Sequence, residues 1–162
     1  MHVETETLPG LRLATLRHLG PYQQIGRTFG RLHEIVTRAG LPHRELVGVY
    51  HDDPAVTPED QLRADAGVIV DEGVPLPPGL EEQRVPAGRF ARAEHAGSYA
   101  GLPGAWGEFK RALAVQTGTA NPRGYTFELY RNTPMDVPQA ELRTLLYTVS
   151  YTHLTLPTTE RV

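Results

Sequence analysis

Apolar residues fall on one face of a helix twice along this chain. Ile25, Phe29, Leu32 and Val36 stand at i, i+4, i+7 and i+11, the spacing that lines side chains along one stripe of a 3.6-residue helix. Leu102, Trp106, Phe109 and Leu113 repeat that spacing 77 residues later. The stripes predict helices over about 22–39 and 102–115. Gly40, with Pro42 just beyond it, predicts where the first one stops. Strand patterns flank them at about 3–19, 46–51 and 62–70, then at about 81–96, 125–131 and 140–147. The turn-forming run from Asp71 to Gly79 connects the two sets.

The repetition reaches beyond the helices. His18-Leu19-Gly20-Pro21-Tyr22 returns as His95-Ala96-Gly97-Ser98-Tyr99 at the same offset of 77, and Arg12 meets Arg89. Further on the offset is 80: Leu46-Val47-Gly48-Val49-Tyr50 aligns with Thr126-Phe127-Glu128-Leu129-Tyr130, and Leu62-Arg63 with Leu142-Arg143. A loop absorbs the three-residue change at little cost. The expected fold is α+β, a duplicated β-α-β-β unit with antiparallel sheets and pseudo-twofold symmetry. Repeat one covers about 1–72 and repeat two about 80–148 of a single two-lobed domain. Residues 149–162, VSYTHLTLPTTERV, have no helical or strand period and read as a non-native tail.

Composition narrows the chemistry. The formal net charge is −3 and Lys110 is the only lysine among sixteen basic residues, so no direct nucleic-acid surface is expected. With no cysteine there is no disulfide, thiolate or Cys-based zinc site. Met1-His2-Val3-Glu4 is not the start of a secretory signal, and no apolar run approaches the ~20 residues of a membrane span. The expectation is a cytoplasmic protein without membrane contact. Before the tail Ser98 is the only serine, and its surroundings are not a nucleophile elbow. His51-Asp52-Asp53 beside Pro54 reads as a solvated turn, and neither a metal nor a cofactor is expected. Arg27, Arg31, Glu34 and Arg38 form a solvated helix face. Arg63 and Asp65 share one side of their strand and read as an ion pair or a partner surface.

Five stretches, in this order and spacing, carry a resemblance. They are His18–Tyr22, Val47-Gly-Val-Tyr-His-Asp-Asp-Pro54, Leu62-Arg-Ala-Asp65, Val85-Pro-Ala-Gly-Arg-Phe90 and Phe127-Glu-Leu-Tyr130. Over about residues 1–147 the chain resembles the bacterial gyrase-inhibitor-like (GyrI-like) family, related to the effector-binding domain of AraC-type transcription activators. The resemblance implies SHS2-like repeats facing each other across a ligand cleft, with the glutamate matching Glu128 among aromatic side chains. Relatives bind drugs, protect DNA gyrase or hydrolyse cyclopropane-bearing toxins. No helix-turn-helix segment accompanies these stretches. The implied partner is a small amphipathic or cationic ligand, with DNA gyrase or a regulatory protein as the macromolecular alternative.

Strand alternation places Thr126, Glu128 and Tyr130 on one face and Tyr125, Phe127 and Leu129 on the other. Leu46, Gly48 and Tyr50 oppose Val47 and Val49 in the same way. The valine and Phe/Leu faces are expected beneath the helices, leaving Glu128, Tyr130, Gly48 and Tyr50 to face the cleft. A carboxylate among rings suits a lipophilic cation, since a bound cation stabilises the charged form and ring faces add cation–π attraction. The ligand-binding set is therefore Glu128, Tyr50, Tyr130, Trp106, Tyr22, Tyr99 and Gly48. Trp106 fits core packing as well as ligand contact, and Tyr22 and Tyr99 also fit as helix starts. If the chemistry is hydrolytic, Glu128 is the general acid/base and Tyr130 assists.

Overall fold

Pro9-Gly10 and Pro86-Ala87 each divide what alternation reads as one long strand. The computed structural model describes residues 1–117 and 125–149. The expected strand over 3–19 is two strands, β1 (Glu4–Leu8) and β2 (Leu11–Leu19). The one expected over 81–96 is likewise β5 (Glu81–Val85) and β6 (Gly88–Ala96). The cause is local. Proline donates no backbone hydrogen bond, and Gly10 takes φ of 96°, which turns the chain out of the extended region.

The remaining elements are α1 (Ile25–Ala39), β3 (Leu46–Tyr50), β4 (Arg63–Ile69), α2 (Leu102–Thr117), β7 (Thr126–Tyr130) and β8 (Arg143–Val149). A single 3₁₀ turn, Tyr22–Gln24 or Tyr99–Gly101, leads into each helix. Val149 closes β8 opposite Phe90. The rest of the expected tail, residues 150–162, lies outside the described residues. No described helix is long and apolar enough to cross a membrane.

The strands divide between two compact units, residues 10–86 and residues 1–9 with those from 87 on. In the first unit β4 pairs with β3 and with β2, and β2 pairs on its other side with β5, all antiparallel. Helix α1 covers one face of this sheet. Its Leu32 and Val36 pack with Ala14, Ala66 and Val68, and Phe29 and Leu46 flank them. Gly40 ends α1 in the left-handed region at φ 61°, its N–H returning to the carbonyls of Val36 and Thr37. Where β2 passes β4, a side chain on Gly67 would come within 3.0 Å of Thr15 Cγ2 and 3.2 Å of the Ala14 carbonyl oxygen. Only glycine lets the strands lie this close. Arg12 ties down the segment after β4, donating to the Asp71 and Val74 carbonyls and to Glu82, each at 2.8 Å.

In the second unit β8 pairs with β7 and β6, and β6 with β1, again antiparallel. The α2 stripe is the predicted one: Leu102, Phe109 and Leu113 pack with Ala91, Ala93 and Leu146, and Trp106 lies at the margin of the cluster. On the opposite face Phe127 stacks on Tyr147 at 4.7 Å and meets the edge of Phe90 at 5.7 Å.

Candidate ligand-binding site

The helices cover the faces opposite to those expected. Glu128 pairs across β7–β8 with Leu146, and Leu146 belongs to the α2 cluster. Thr126, Glu128 and Tyr130 therefore lie on the α2 side, while Phe127 and Leu129 face away. The same holds for β3, where Leu46 and Gly48 pair with Val68 and Ala66, both in the α1 cluster. The inversion has a plain cause. Val47, Val49 and Phe127 are as deeply buried as the helix-facing residues, and a strand apolar on both faces does not tell which face meets a helix.

Glu128 consequently sits under α2 and is only 4% exposed. Trp106 Nε1 donates to one carboxylate oxygen at 2.6 Å, and the Tyr130 hydroxyl donates to the other at 2.6 Å. Short bonds to an ionised acceptor are about twice as strong as neutral ones. The Tyr130 ring meets the edge of Tyr99 at 5.6 Å, and Trp106 leans on Phe109 at 5.6 Å. Burial, followed by the negative charge of Glu128, pushes the Tyr99 phenol above its usual value. Of the expected site residues, the structure brings Glu128, Trp106, Tyr130 and Tyr99 together in this unit.

Tyr22, Tyr50 and Gly48 belong to the other unit. The Tyr22 ring meets the edge of Tyr50 at 4.9 Å, and Gly48 lies two residues before Tyr50 on the α1 side of β3. Tyr22 has a second task. Its hydroxyl lies 3.1 Å from the Asp52 carbonyl and 2.9 Å from that of Arg63, and it accepts from the Asp52 N–H. Burial raises this phenol too.

Two ionic groups escaped the sequence reading. Arg63 and Asp65 do not pair with each other: Arg63 binds the Asp52 carboxylate, while Asp65 binds Arg17 at 2.9 Å and His51 at 2.5 Å. Same-side residues i and i+2 lie far apart along a strand, and the cross-strand neighbours Arg17 and Val49 are closer to Asp65. The pairing follows from the Arg17–Asp65 register, which the sequence does not show. Among the described residues no group of three or more His, Asp or Glu side chains is placed to hold a metal ion.

Comparison with known proteins fits this architecture. A family model described as the GyrI-like small molecule binding domain matches residues 1–148. DNA gyrase inhibitor 2 of Dickeya dadantii is 34% identical over 134 residues, spanning 80% of this chain and 85% of that protein. A DNA gyrase inhibitor of Yersinia enterocolitica is 30% identical over 126 residues, spanning 75% of this chain and 80% of that protein. Among solved structures, the C-terminal domain of EcmrR aligns with a TM-score of 0.76 at 17% identity, covering 91% of this chain and 96% of that one. SAV2435 bound to tetraphenylphosphonium aligns with a TM-score of 0.64 at 15% identity, covering 91% and 92%. The α+β fold and the match over nearly all described residues place the chain in the GyrI-like family of small-molecule-binding domains.

Proposed function

We propose that this protein binds small amphipathic cations against the α2 side of β7, acting in drug or toxin sensing, sequestration or resistance. Glu128 is the charge anchor, and Trp106, Tyr130 and Tyr99 are the ring walls. The observation that carries this reading is the buried Glu128 carboxylate held between the Trp106 indole and the Tyr130 phenol. A lipophilic cation gains there from the carboxylate and from ring faces, about 0.5–2 kcal/mol per well-placed ring. Trp106 and Tyr99 are only partly buried, so the ligand enters by displacing the indole and takes over its place beside Glu128. The relative bound to tetraphenylphosphonium supports a cationic ligand. Tyr22 and Tyr50, with Gly48, form a ring cluster of their own in the other unit, and Tyr50→Ala reads their part in ligand binding.

The test is a thermal-shift and calorimetric screen of wild type, Glu128→Gln and Tyr50→Ala against lipophilic cations, with mass spectrometry of each ligand afterwards. A ligand that binds only the folded state raises Tm by mass action. The expected result is a shift in wild type that Glu128→Gln loses while the ligand mass stays unchanged. Recovery of ligand carrying one added water, over many turnovers, would replace this reading with hydrolysis by Glu128 and Tyr130. The relatives named DNA gyrase inhibitor bring in a macromolecular partner. Inhibition of supercoiling that survives Glu128→Gln and ignores small cations would favour that role.

A further inference from the structure

One polar atom on the α2 side of β8 stands without a partner. Thr144 is fully buried, and its hydroxyl oxygen has no hydrogen bond among the described residues. Thr144 lies directly across from Tyr130 on β7 and from His95 on β6. It therefore shares the face of Glu128, whose cross-strand partner Leu146 is two residues further along. Its neighbours are engaged elsewhere: the Tyr130 hydroxyl binds Glu128 at 2.6 Å, and His95 Nε2 meets the Ser98 carbonyl at 2.9 Å. A buried hydroxyl without a protein partner is disfavoured, and it requires an explanation.

The other unit supplies the contrast. There the residue facing Tyr50 and His18 is Ala64, and the nearby hydroxyl sits on the helix, where Thr28 Oγ1 meets His18 Nδ1 at 2.8 Å. In the second unit residue 105 is alanine, and the hydroxyl stands on the strand at Thr144. The unit that has Glu128 where the other has Gly48 also has Thr144 where the other has Ala64. Both added polar groups face α2 on adjacent strands.

We propose that Thr144 is a second polar contact for the ligand, and that the preferred ligand is an ammonium bearing at least two N–H bonds. One N–H goes to Glu128 and one to the Thr144 oxygen. This rests on Glu128 being the charge anchor. The carboxylate attracts any cation, whereas an otherwise unpartnered hydroxyl distinguishes a cation that can donate from one that cannot. Sites built to meet a hydrogen bond reject the analogue lacking it more strongly than pockets reject a change of size.

The experiment titrates biphenyl-4-ylmethylammonium and its N,N,N-trimethyl counterpart into wild type, Thr144→Val, Thr144→Ser and Glu128→Gln. Calorimetry is paired with the fluorescence of Trp106, the chain's single tryptophan. Wild type should prefer the primary ammonium by about tenfold or more, the scale of one hydrogen bond to a charged group. Thr144→Val should abolish that preference while keeping affinity for the trimethyl compound, and Thr144→Ser should retain it. Without ligand, Thr144→Val should melt no lower than wild type, because the hydroxyl it removes has no partner. A lower Tm with the preference intact would make Thr144 merely structural. Equal affinities in wild type, with Glu128→Gln weakening both, overturn the role of Thr144 and leave the anchor standing. If wild type binds neither compound, or Glu128→Gln changes nothing, the anchor fails and this inference fails with it.

Discussion

The indole of Trp106 is hydrogen-bonded to Glu128 at 2.6 Å, which ties the first half of α2 to the middle of β7. Trp106→Phe keeps a ring in the cluster but removes the donor to a carboxylate that is 4% exposed. Bonds to charged groups contribute about 1.5–3 kcal/mol. Urea unfolding of Trp106→Phe should therefore show a loss on that order, while ring contacts with ligand largely persist. A loss below about 0.5 kcal/mol would mean that the bond does little to hold α2 on the sheet.

Asp65 should govern part of the acid limb of the stability curve. Burial pushes its carboxyl up, but the hydrogen bonds from His51 and Arg17 outweigh burial and hold it below its usual value. A lowered carboxyl stabilises the fold fully above its unfolded pKa, near 3.9. That stability is lost as pH falls through the lower folded-state value. At neutral pH, Asp65→Asn should cost about 1–2 kcal/mol, less than a fully buried pair because the Arg17 side chain is half exposed. Chemical denaturation from pH 6 to pH 2 should show the gap between variant and wild type narrowing below about pH 4.

Tyr147 acts at the other end. Burial, then its hydrogen bond to Glu6 at 2.9 Å, pushes its phenol up to about 12. A raised phenol contributes stability that is complete below its unfolded value near 10 and is lost as pH climbs toward the folded one. Wild type should thus lose on the order of 2 kcal/mol between about pH 10 and 12 through this group alone. Tyr147→Phe should flatten that limb and remove one high-pH step from the phenolate absorbance.

Much of this was legible because it depends on periodicity. Leu32 and Val36, or Phe109 and Leu113, have no partner for their apolar stripe except a sheet face, so the helices and their buried sides follow from spacing. The strand faces did not, because Phe127 and Val47 are buried as fully as Leu146 and Val68. Alternation separates two faces, and with both apolar it carries no sign. The break at Pro9-Gly10 was readable as a turn-forming pair, but the strand pattern on either side concealed it. That Glu128 lies with Trp106, Tyr130 and Tyr99 was readable from the repeat and the resemblance together. The unpartnered hydroxyl of Thr144 needed cross-strand register, which the sequence does not contain.

The two tyrosines that follow the repeated glycines provide a last test, because the repeat makes them equivalent and the structure does not. The Tyr22 hydroxyl lies within bonding distance of two carbonyls and accepts the Asp52 N–H at 3.1 Å. The Asp52 side chain in turn binds the Arg63 guanidinium and backbone N–H. Removing the Tyr22 hydroxyl leaves a backbone N–H and a carbonyl to find water in a half-buried turn, at a cost of about 1–2 kcal/mol. Tyr99 offers its ring edge to Tyr130, and its hydroxyl makes no hydrogen bond among the described residues. Tyr99→Phe should therefore stay within about 0.5 kcal/mol of wild type and bind lipophilic cations nearly as well, since the ring face is kept. Paired urea titrations of Tyr22→Phe and Tyr99→Phe read both at once. Equal losses would mean that the two positions share one structural task, and the assignment of Tyr99 to the ligand's ring wall would lose its support.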